Sequence, residues 1–362
     1  MLADDRRAIA APVQLAPAPA KRTVWRAVAE RDPDALVTQT PEWVDVLCRS
    51  GYEDASRAYR AADGSRMVLP LVRRRGSLPR TLSPLTSLPS AWGIGGLLSE
   101  RRPEVEDVAA VIADLRNQPA IRVLVRPNPL HARVWGQAAR GFPLVVLPRH
   151  AHVLDLKGGA EEVWDRRFAG PMRRALRRAQ TAGLDIRVGS TPELVGDFRR
   201  LYELAVRRSA EVRHEPQALA MLRAYRRDPP AKFVHIAEAM PDRLRVWIAS
   251  RDGVPVAGLI VLLGTNASCA RGAIDTSLPD AVRASELLHW HAIQEACVTG
   301  CAAYHMGESG TSTPLGEFKE RLGARSIPYA AYCLERLPLQ RSENVARAAV
   351  KRAIGFRDVD QA

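Results

Sequence analysis

The chain has 362 residues, of which 46% are hydrophobic and 26% charged. This composition is that of a folded globular protein, and the length allows two domains with separate cores. The formal net charge of +13 favours anionic partners without choosing among them. The histidines and cysteines form no CxxC pair and no metal-spaced set, so we expect reduced thiols and no metal site.

The N-terminal segment is rich in alanine and proline. Acidic residues (Asp4, Asp5) and prolines (Pro12, Pro17) interrupt what would be the apolar core of a signal peptide. No segment reaches the roughly 18 apolar residues of a membrane span. We therefore expect residues 1–35 to be a flexible leader and the protein to be cytoplasmic, either free or at the inner face of the membrane.

Residues 36–150 have the pattern of a first α/β domain. Thr40 and Pro41 predict the start of a helix. Asp63-Gly64 predicts the turn of a hairpin whose second strand is 67–72. After a loop at 78–96, the pattern predicts helix, strand, helix and strand, in the segments 105–115, 121–125, 132–139 and 144–147.

Residues 151–336 repeat part of this pattern. A second Asp-Gly hairpin, with its turn at Asp252-Gly253, has strands of similar length, which indicates either two similar domains in tandem or a coincidence of common turns. A strand at 269–274, a helix with Ser285 as its N-cap, a strand at 302–306, a loop at 307–314 and a strand at 329–334 follow. We expect an α/β (α+β) mixed sheet in each half.

Residues 337–362 predict a basic amphipathic tail helix. Val345, Ala349, Ala353 and Phe356 lie on one side of it. Such a helix either touches an anionic membrane surface or docks on the protein itself.

The segment 166–178 contains three Arg-Arg pairs. If Pro171 begins a helix, Arg173 and Arg177 share one face, and their mutual repulsion would be relieved by a bound anion. Guanidinium groups bind phosphates bidentately. The alternative is a solvated face next to the preceding acidic residues. The aromatic residues of an RNA platform are missing, so specific nucleic-acid readout, DNA included, is not expected.

Two further places offer chemistry. The N-terminus of the helix near Ser285, with Arg283 just before it, is a potential pyrophosphate site, although almost every helix has such an end. In the turn after the short strand, His305 or Glu308 is a candidate general base, and Lys319 is a candidate for stabilising an acyl oxyanion. The alternatives are a core histidine and a surface lysine.

The order of six short stretches resembles a known family. They are Thr40–Trp43, Val153–Leu156, Arg173–Ala179, Asp252–Gly258, Glu286–Trp290 and Phe318-Lys319 with Leu322–Ala324. Together they are similar to the FemAB-like acyltransferases, a branch of the GNAT superfamily built from two tandem GNAT-like domains. The resemblance covers about residues 36–336. It implies that Lys319 takes part in acyl transfer and that Phe318 shapes the pocket.

Members of this family move an aminoacyl group from charged tRNA to a peptidoglycan precursor, or an acyl group from a thioester to an amine. The resemblance therefore implies acyl-CoA or aminoacyl-tRNA as the donor, with tRNA as a potential partner. The family commonly has an acid before the glycine of the short strand, where this chain has Tyr304-His305-Met306-Gly307. The pyrophosphate loop of ordinary GNAT enzymes is missing after Ile274, which counts against coenzyme A.

The sequence thus predicts an N-acyltransferase acting on an amine of a cell-envelope or polysaccharide precursor. The alternatives are a coenzyme A-dependent acyltransferase on a small amine and a non-catalytic module that binds RNA or anionic lipid. Lys319, His305 and Glu308 are the predicted catalytic residues. The predicted donor- and substrate-binding residues are Phe318, Arg173, Arg177, Arg271, Arg283, Ser285 and Trp290.

Overall fold

A computed structural model describes residues 14–275, 277–278, 281–310 and 312–356. Residues 1–13 of the predicted leader and 357–362 of the predicted tail lie outside the described residues. The first half contains β1 (Gln14–Leu15), α1 (Arg22–Arg31), α2 (Pro41–Arg49), β2 (Tyr52–Asp54), β3 (Arg57–Arg60), β4 (Arg66–Leu69), β5 (Val72–Arg74), β6 (Leu85–Thr86), β7 (Leu98–Ser99), α3 (Val105–Arg116), β8 (Arg122–Val125) and α4 (Ala132–Ala139).

The second half begins with a long strand that crosses the predicted domain boundary at residue 150. Its elements are β9 (Val145–Asp155), α5 (Gly159–Glu162), α6 (Gly170–Gln180), β10 (Asp185–Gly189), α7 (Pro192–Val212), α8 (Gln217–Arg227), α9 (Lys232–Ala239), β11 (Leu244–Arg251), β12 (Val254–Leu262), β13 (Ala267–Ile274), α10 (Ala281–Val298), β14 (Ala303–Glu308), α11 (Thr313–Arg321), β15 (Arg325–Glu335) and α12 (Leu339–Ala353).

The described strands form two mixed sheets. The larger has 11 strands in the order β10-β11-β12-β13-β14-β9-β15-β8-β6-β5-β2, and the smaller has four in the order β1-β3-β4-β7. Strand β15 pairs with β9 on one edge and with β8 of the first half on the other. The last strand of the chain therefore joins the two halves into one sheet.

The two halves follow the same order of elements. In the first, the hairpin β3–β4 turns at Asp63-Gly64, pairs with β7 and is followed by α3, β8 and α4. In the second, the hairpin β11–β12 turns at Asp252-Gly253, pairs with β13 and is followed by α10, β14 and α11. This repeat confirms the predicted mixed α/β architecture of two similar halves in tandem.

The structure corrects the sequence-based boundaries at several places. A flexible leader as far as residue 35 is wrong for 22–35, because α1 buries Trp25 and Val28 in the core. The predicted strand 67–72 is divided at Pro70, which has no N–H to donate to a ladder. The helices α7, α8 and α9 were not predicted, and the segment 307–314, taken as loop, already contains the start of α11.

The tail forms helix α12, as predicted, and its side chains are largely exposed. An ion pair of 2.9 Å between Arg122 and Glu343 ties it to β8. In the described part of the chain, no helix is long and apolar enough to cross a membrane.

Candidate active site

An opening lies between the neighbouring parallel strands β13 and β14. The strands pair only at Ala267–Tyr304 and Ser268–His305, although both continue beyond these positions. A bulge in β13 leaves Ala270 without a partner on β12, and the register of β14 against β9 also shifts after His305. Bulges bend strands and increase their twist. The two strands therefore separate, with Ser268 and His305 at the apex of the opening.

Lys319 of helix α11 lies at this opening. The helix begins after Ser312, whose side chain accepts a hydrogen bond from the backbone N–H of Leu315. Lys319 is only 6% exposed, and its Nζ donates to the backbone oxygens of Gly307 (3.2 Å) and Glu308 (2.8 Å). Burial lowers the pKa of Lys319 to about 8. The alternative that Lys319 is a surface lysine is thereby excluded.

Buried polar and aromatic side chains surround this lysine. The Nδ1 atom of His289 lies 3.1 Å from the hydroxyl of Tyr304, and the ring of Phe318 packs edge-on against His289 at 5.5 Å. Burial, and secondly the charge of Lys319, lower the pKa of His289 to about 3. Burial raises the pKa of the Cys269 thiol despite the opposing effect of Lys319. Phe318 therefore packs beside the buried histidine whose pKa responds to Lys319, and its role in shaping a pocket stays a prediction.

His305 points to the other face of the sheet from its strand neighbours Tyr304 and Met306, which pack in the core beneath α10. It is 2% exposed, and neither ring nitrogen has a hydrogen-bond partner among the described residues. Burial lowers the pKa of His305 to about 4, against the opposing effect of Asp34. His305 is therefore a neutral imidazole at physiological pH.

The backbone oxygen and the carboxylate of Glu308 make different contacts. Its backbone oxygen accepts from Lys319, whereas its carboxylate accepts from the hydroxyl of Tyr329 and lies 3.6 Å from Arg149. Burial, and then the Glu308 carboxylate, raise the pKa of Tyr329. The carboxylate of Glu308 is thus held by a phenol and a guanidinium beside the opening.

Arg271 lies on the side of the sheet opposite to Cys269. Because the bulge places Ala270 and Arg271 on the same face, the guanidinium reaches Asp228 at 2.9 Å. Asp228 also accepts from Lys232 at 2.7 Å. Arg271 therefore belongs to a cluster on the α7–α9 side, and donor binding by this residue stays a prediction.

The arginine-rich segment forms helix α6 with Pro171 in its first turn, as predicted. However, Arg173 donates to the backbone oxygens of Trp164, Asp165 and Phe168, at 2.8–3.2 Å. Its guanidinium is thus engaged by the segment before the helix, which differs from the predicted phosphate contact. Arg177 is exposed and lies over the ring of Trp164.

The structure also describes the three remaining predicted binding residues, Trp290, Ser285 and Arg283. Trp290 packs against Trp164 and Phe168, with ring centroids 5.0 and 5.4 Å apart, and is 5% exposed. Ser285 is not an N-cap, because α10 begins at Ala281, and the alanine-rich turn before Ser285 is itself helical. Arg283 is exposed in the first turn of this helix, and its anion-binding role stays a prediction.

Several residues of the site were not predicted. Cys269, Tyr304 and His289 meet at Lys319 only because β13, β14 and α10 are neighbours in space. His289 and Tyr304 lie in segments that the sequence analysis singled out, but nothing in either segment reveals their contact. Within the described ranges, no group of three histidine, cysteine, aspartate or glutamate side chains is arranged to hold a metal ion.

Comparisons with known proteins agree with this geometry. Residues 166–320 match the family model described as an acetyltransferase (GNAT) domain, and this match contains β13, α10, β14 and Lys319. Residues 166–320 are thus similar to a GNAT acetyltransferase domain, which agrees with the predicted acyltransferase. No curated protein sequence matches it.

Comparison with solved structures identifies the fold of the chain more specifically. The structure of FemX is similar to this chain with a TM-score of 0.64 and 12% sequence identity, over 88% of this chain and 96% of that one. A conserved protein of unknown function from Bacteroides thetaiotaomicron follows with a TM-score of 0.50 and 11% identity, over 90% and 99% of the two chains. The fold is thus FemX-like over most of both chains, which confirms the predicted FemAB-like architecture.

Proposed function

We propose that this protein is an N-acyltransferase whose reaction takes place at the opening between β13 and β14. The observation that carries the proposal is the position of Lys319, buried at the opening with two of its N–H bonds directed to backbone oxygens. An ammonium group has three such bonds. Among the described residues the third has no partner, so it can stabilise the negative charge that develops on the acyl oxygen when an amine attacks the carbonyl.

A base must remove a proton from the attacking amine. His305 is neutral and lies at the apex of the opening, whereas the carboxylate of Glu308 is held by Tyr329 and Arg149. A neutral imidazole without a hydrogen-bond partner is available to accept a proton. This difference favours His305 over Glu308, which then acts chiefly through the backbone oxygen that positions Lys319.

The GNAT domain implies an activated acyl donor, either acyl-CoA or aminoacyl-tRNA. The exposed Arg177 and Arg283 and the charge of +13 favour a phosphate-rich donor of either kind. For the acceptor, we propose an amine of a cell-envelope or polysaccharide precursor, in line with the FemX-like fold.

A transfer assay with labelled donors tests this function. The purified chain is incubated with acetyl-CoA or with aminoacyl-tRNA, each in the presence of amino sugars, amine-bearing envelope precursors and small amines, and the products are identified by mass spectrometry. We expect a new amide on an envelope or polysaccharide amine. Acylation of small amines alone, with acetyl-CoA, would favour the simpler coenzyme A-dependent enzyme, and absence of any amide product would contradict the proposal.

A further inference from the structure

An unusual group of buried polar atoms lies at the apex of the opening, on the face away from Lys319. Among the described residues, no hydrogen-bond partner exists for Ser268 Oγ, for either ring nitrogen of His305, or for His131 Nδ1. Buried polar atoms are nearly always paired with protein or ordered water. Ser268 and His305 face each other across the last paired position of β13 and β14. Such a group indicates a place for water or for proton transfer.

His131 forms a dyad with a carboxylate of the first half. Its Nε2 lies 3.1 Å from Oδ2 of Asp34, and the hydrogen bond from His131 is the chief cause that lowers the pKa of Asp34. Asp34 is therefore ionised and fixes the imidazole with its proton on Nε2, which leaves Nδ1 as an acceptor. A histidine oriented by a carboxylate in this way is the arrangement that enzymes use to accept and pass on protons.

Two buried asparagines hold the dyad above the apex. Asn266, just before β13, donates to the backbone oxygen of Pro33 (2.8 Å) and accepts from the N–H of Ala303 on β14 (2.9 Å). Asn128 donates to the backbone oxygen of Asp34 (2.7 Å). The segment of Asp34 is thus fixed to both strands of the opening. Asp34 is close enough to His305 for each group to affect the pKa of the other.

The outer side of the dyad faces solvent. Asp34 and His131 line a surface hollow of about 520 Å³, whose wall also includes Arg102, Glu106, Arg133 and Gln137. Solvent therefore reaches the dyad through this hollow, whereas His305 does not line it and is 2% exposed.

We propose that His305, His131 and Asp34 form a proton relay that carries the proton released during amide formation from the opening to this hollow. The inference rests on the proposed acyl transfer and adds residues of the first half to it. As the amine nitrogen bonds to the acyl carbon, the leaving group departs with the electrons of its bond to that carbon. The nitrogen's proton passes to His305, then to His131, whose positive charge Asp34 stabilises, and finally to water in the hollow.

Two near-isosteric variants, His131→Gln and Asp34→Asn, test the relay in the full-length chain. We expect kcat to fall at least tenfold with KM unchanged, and the pH profile of kcat and its solvent deuterium isotope effect to change. His150→Gln is the matched control, because His150 is an exposed histidine on β9 and has no place in the relay. A kcat within threefold of the parent for both variants would overturn the relay.

A second readout does not depend on turnover. In nuclear magnetic resonance titrations of the histidine rings, Asp34→Asn should lower the titration midpoint of His305, because the Asp34 carboxylate raises it whereas burial and His131 lower it. An unmoved midpoint would overturn the relay alone. A parent protein that transfers no acyl group would instead overturn the proposed function, and the relay with it.

Discussion

At the scale of single residues, Lys319 shares with Arg73 and Lys232 a burial that most cations of this basic protein do not have. Its amine lies between the bulged end of β14 and the aromatic pocket of Phe318 and His289, and low polarity there disfavours the charged form. The structure thus keeps a costly charge at the place where an oxyanion would form. Such a cost is typical of functional sites.

The buried amine should make the effect of Lys319→Met on stability depend on pH. The pKa of Lys319 is about 8 in the folded protein, below its ordinary value of 10.5. Between these values the unfolded chain binds more protons, so the parent gains stability as the pH rises. Relative to the methionine variant, we expect the parent's free energy of unfolding to rise by about 2 kcal/mol from pH 7 to pH 10. Denaturant titrations at both values measure this, and a pH-independent difference would contradict the burial of a charged amine.

The Phe-Lys pair predicted a role for Lys319, but the environment of this lysine was not predictable from the sequence. Its two acceptors are backbone oxygens, which every residue has, and their direction depends on the bulge in β14. His305 could be named as a candidate base because it departs from the family pattern. Asp34 and His131, which we propose to relay its proton, are far away in the sequence, and no local pattern connects them to His305.

At the scale of elements, the bulges in β13 and β14 determine the site. One separates the strands and turns Arg271 to the opposite face, and the other presents two backbone oxygens to α11. Gly307 has a positive φ of 73°, a conformation that costs a residue with a Cβ about 1–2 kcal/mol. The glycine therefore permits the turn of the chain that holds Lys319.

Gly307→Ala should lower both stability and turnover. We expect a loss of about 1 kcal/mol of stability, together with a roughly tenfold fall in kcat as the oxygens that hold Lys319 shift. Gly310→Ala is the matched control, because Gly310 also has a positive φ, of 61°, with open space around its Cβ position. Equal effects of the two variants on kcat would argue against a specific role of the bulge.

The hairpins were predictable because Asp-Gly turns have a strong local signal. Helix α7 also has such a signal, since Thr191-Pro192-Glu193 repeats the Thr40-Pro41-Glu42 pattern that predicted α2. The start of α10 was misplaced because Ser285 is a favourable N-cap residue, yet the preceding turn already packs as helix. The bulges themselves have no sequence signature, since they follow from how neighbouring strands pair.

At the scale of the whole molecule, a shared sheet and a few buried polar contacts join the halves. Strand β15 pairs with β9 and β8, and Asn266 connects β13 and β14 to the segment of Asp34. The halves are therefore joined both by backbone pairing and by buried side-chain contacts.

Asn266→Ala should weaken the connection between the halves. The variant leaves the backbone oxygen of Pro33 and the N–H of Ala303 without this partner, and Asn266 itself is 1% exposed. We expect a loss of about 1–3 kcal/mol of stability. Asn117→Ala, at an exposed position, provides the comparison. If both variants unfold at the same denaturant concentration, Asn266 does not connect the halves as described.

Removal of residues 337–362 should leave the fold intact, because α12 is largely exposed and β15 ends before it. We expect the thermal midpoint to change by less than about 4 °C.

Flotation of the intact and the truncated protein with anionic vesicles tests the membrane hypothesis for the tail. Val345 and Val350 are exposed on this basic helix, so we expect the intact chain to bind more strongly. If equal fractions of the intact and the truncated protein float with the vesicles, the tail has no membrane role.

We propose that Lys319 stabilises the transition state of acyl transfer. The most direct test compares kcat of the parent with Lys319→Ala and with Lys157→Ala, which changes an exposed lysine. We expect a hundred- to a thousandfold fall in kcat for Lys319→Ala, the usual effect of removing one oxyanion donor, and no change for Lys157→Ala. A folded Lys319→Ala protein with turnover within threefold of the parent would contradict it.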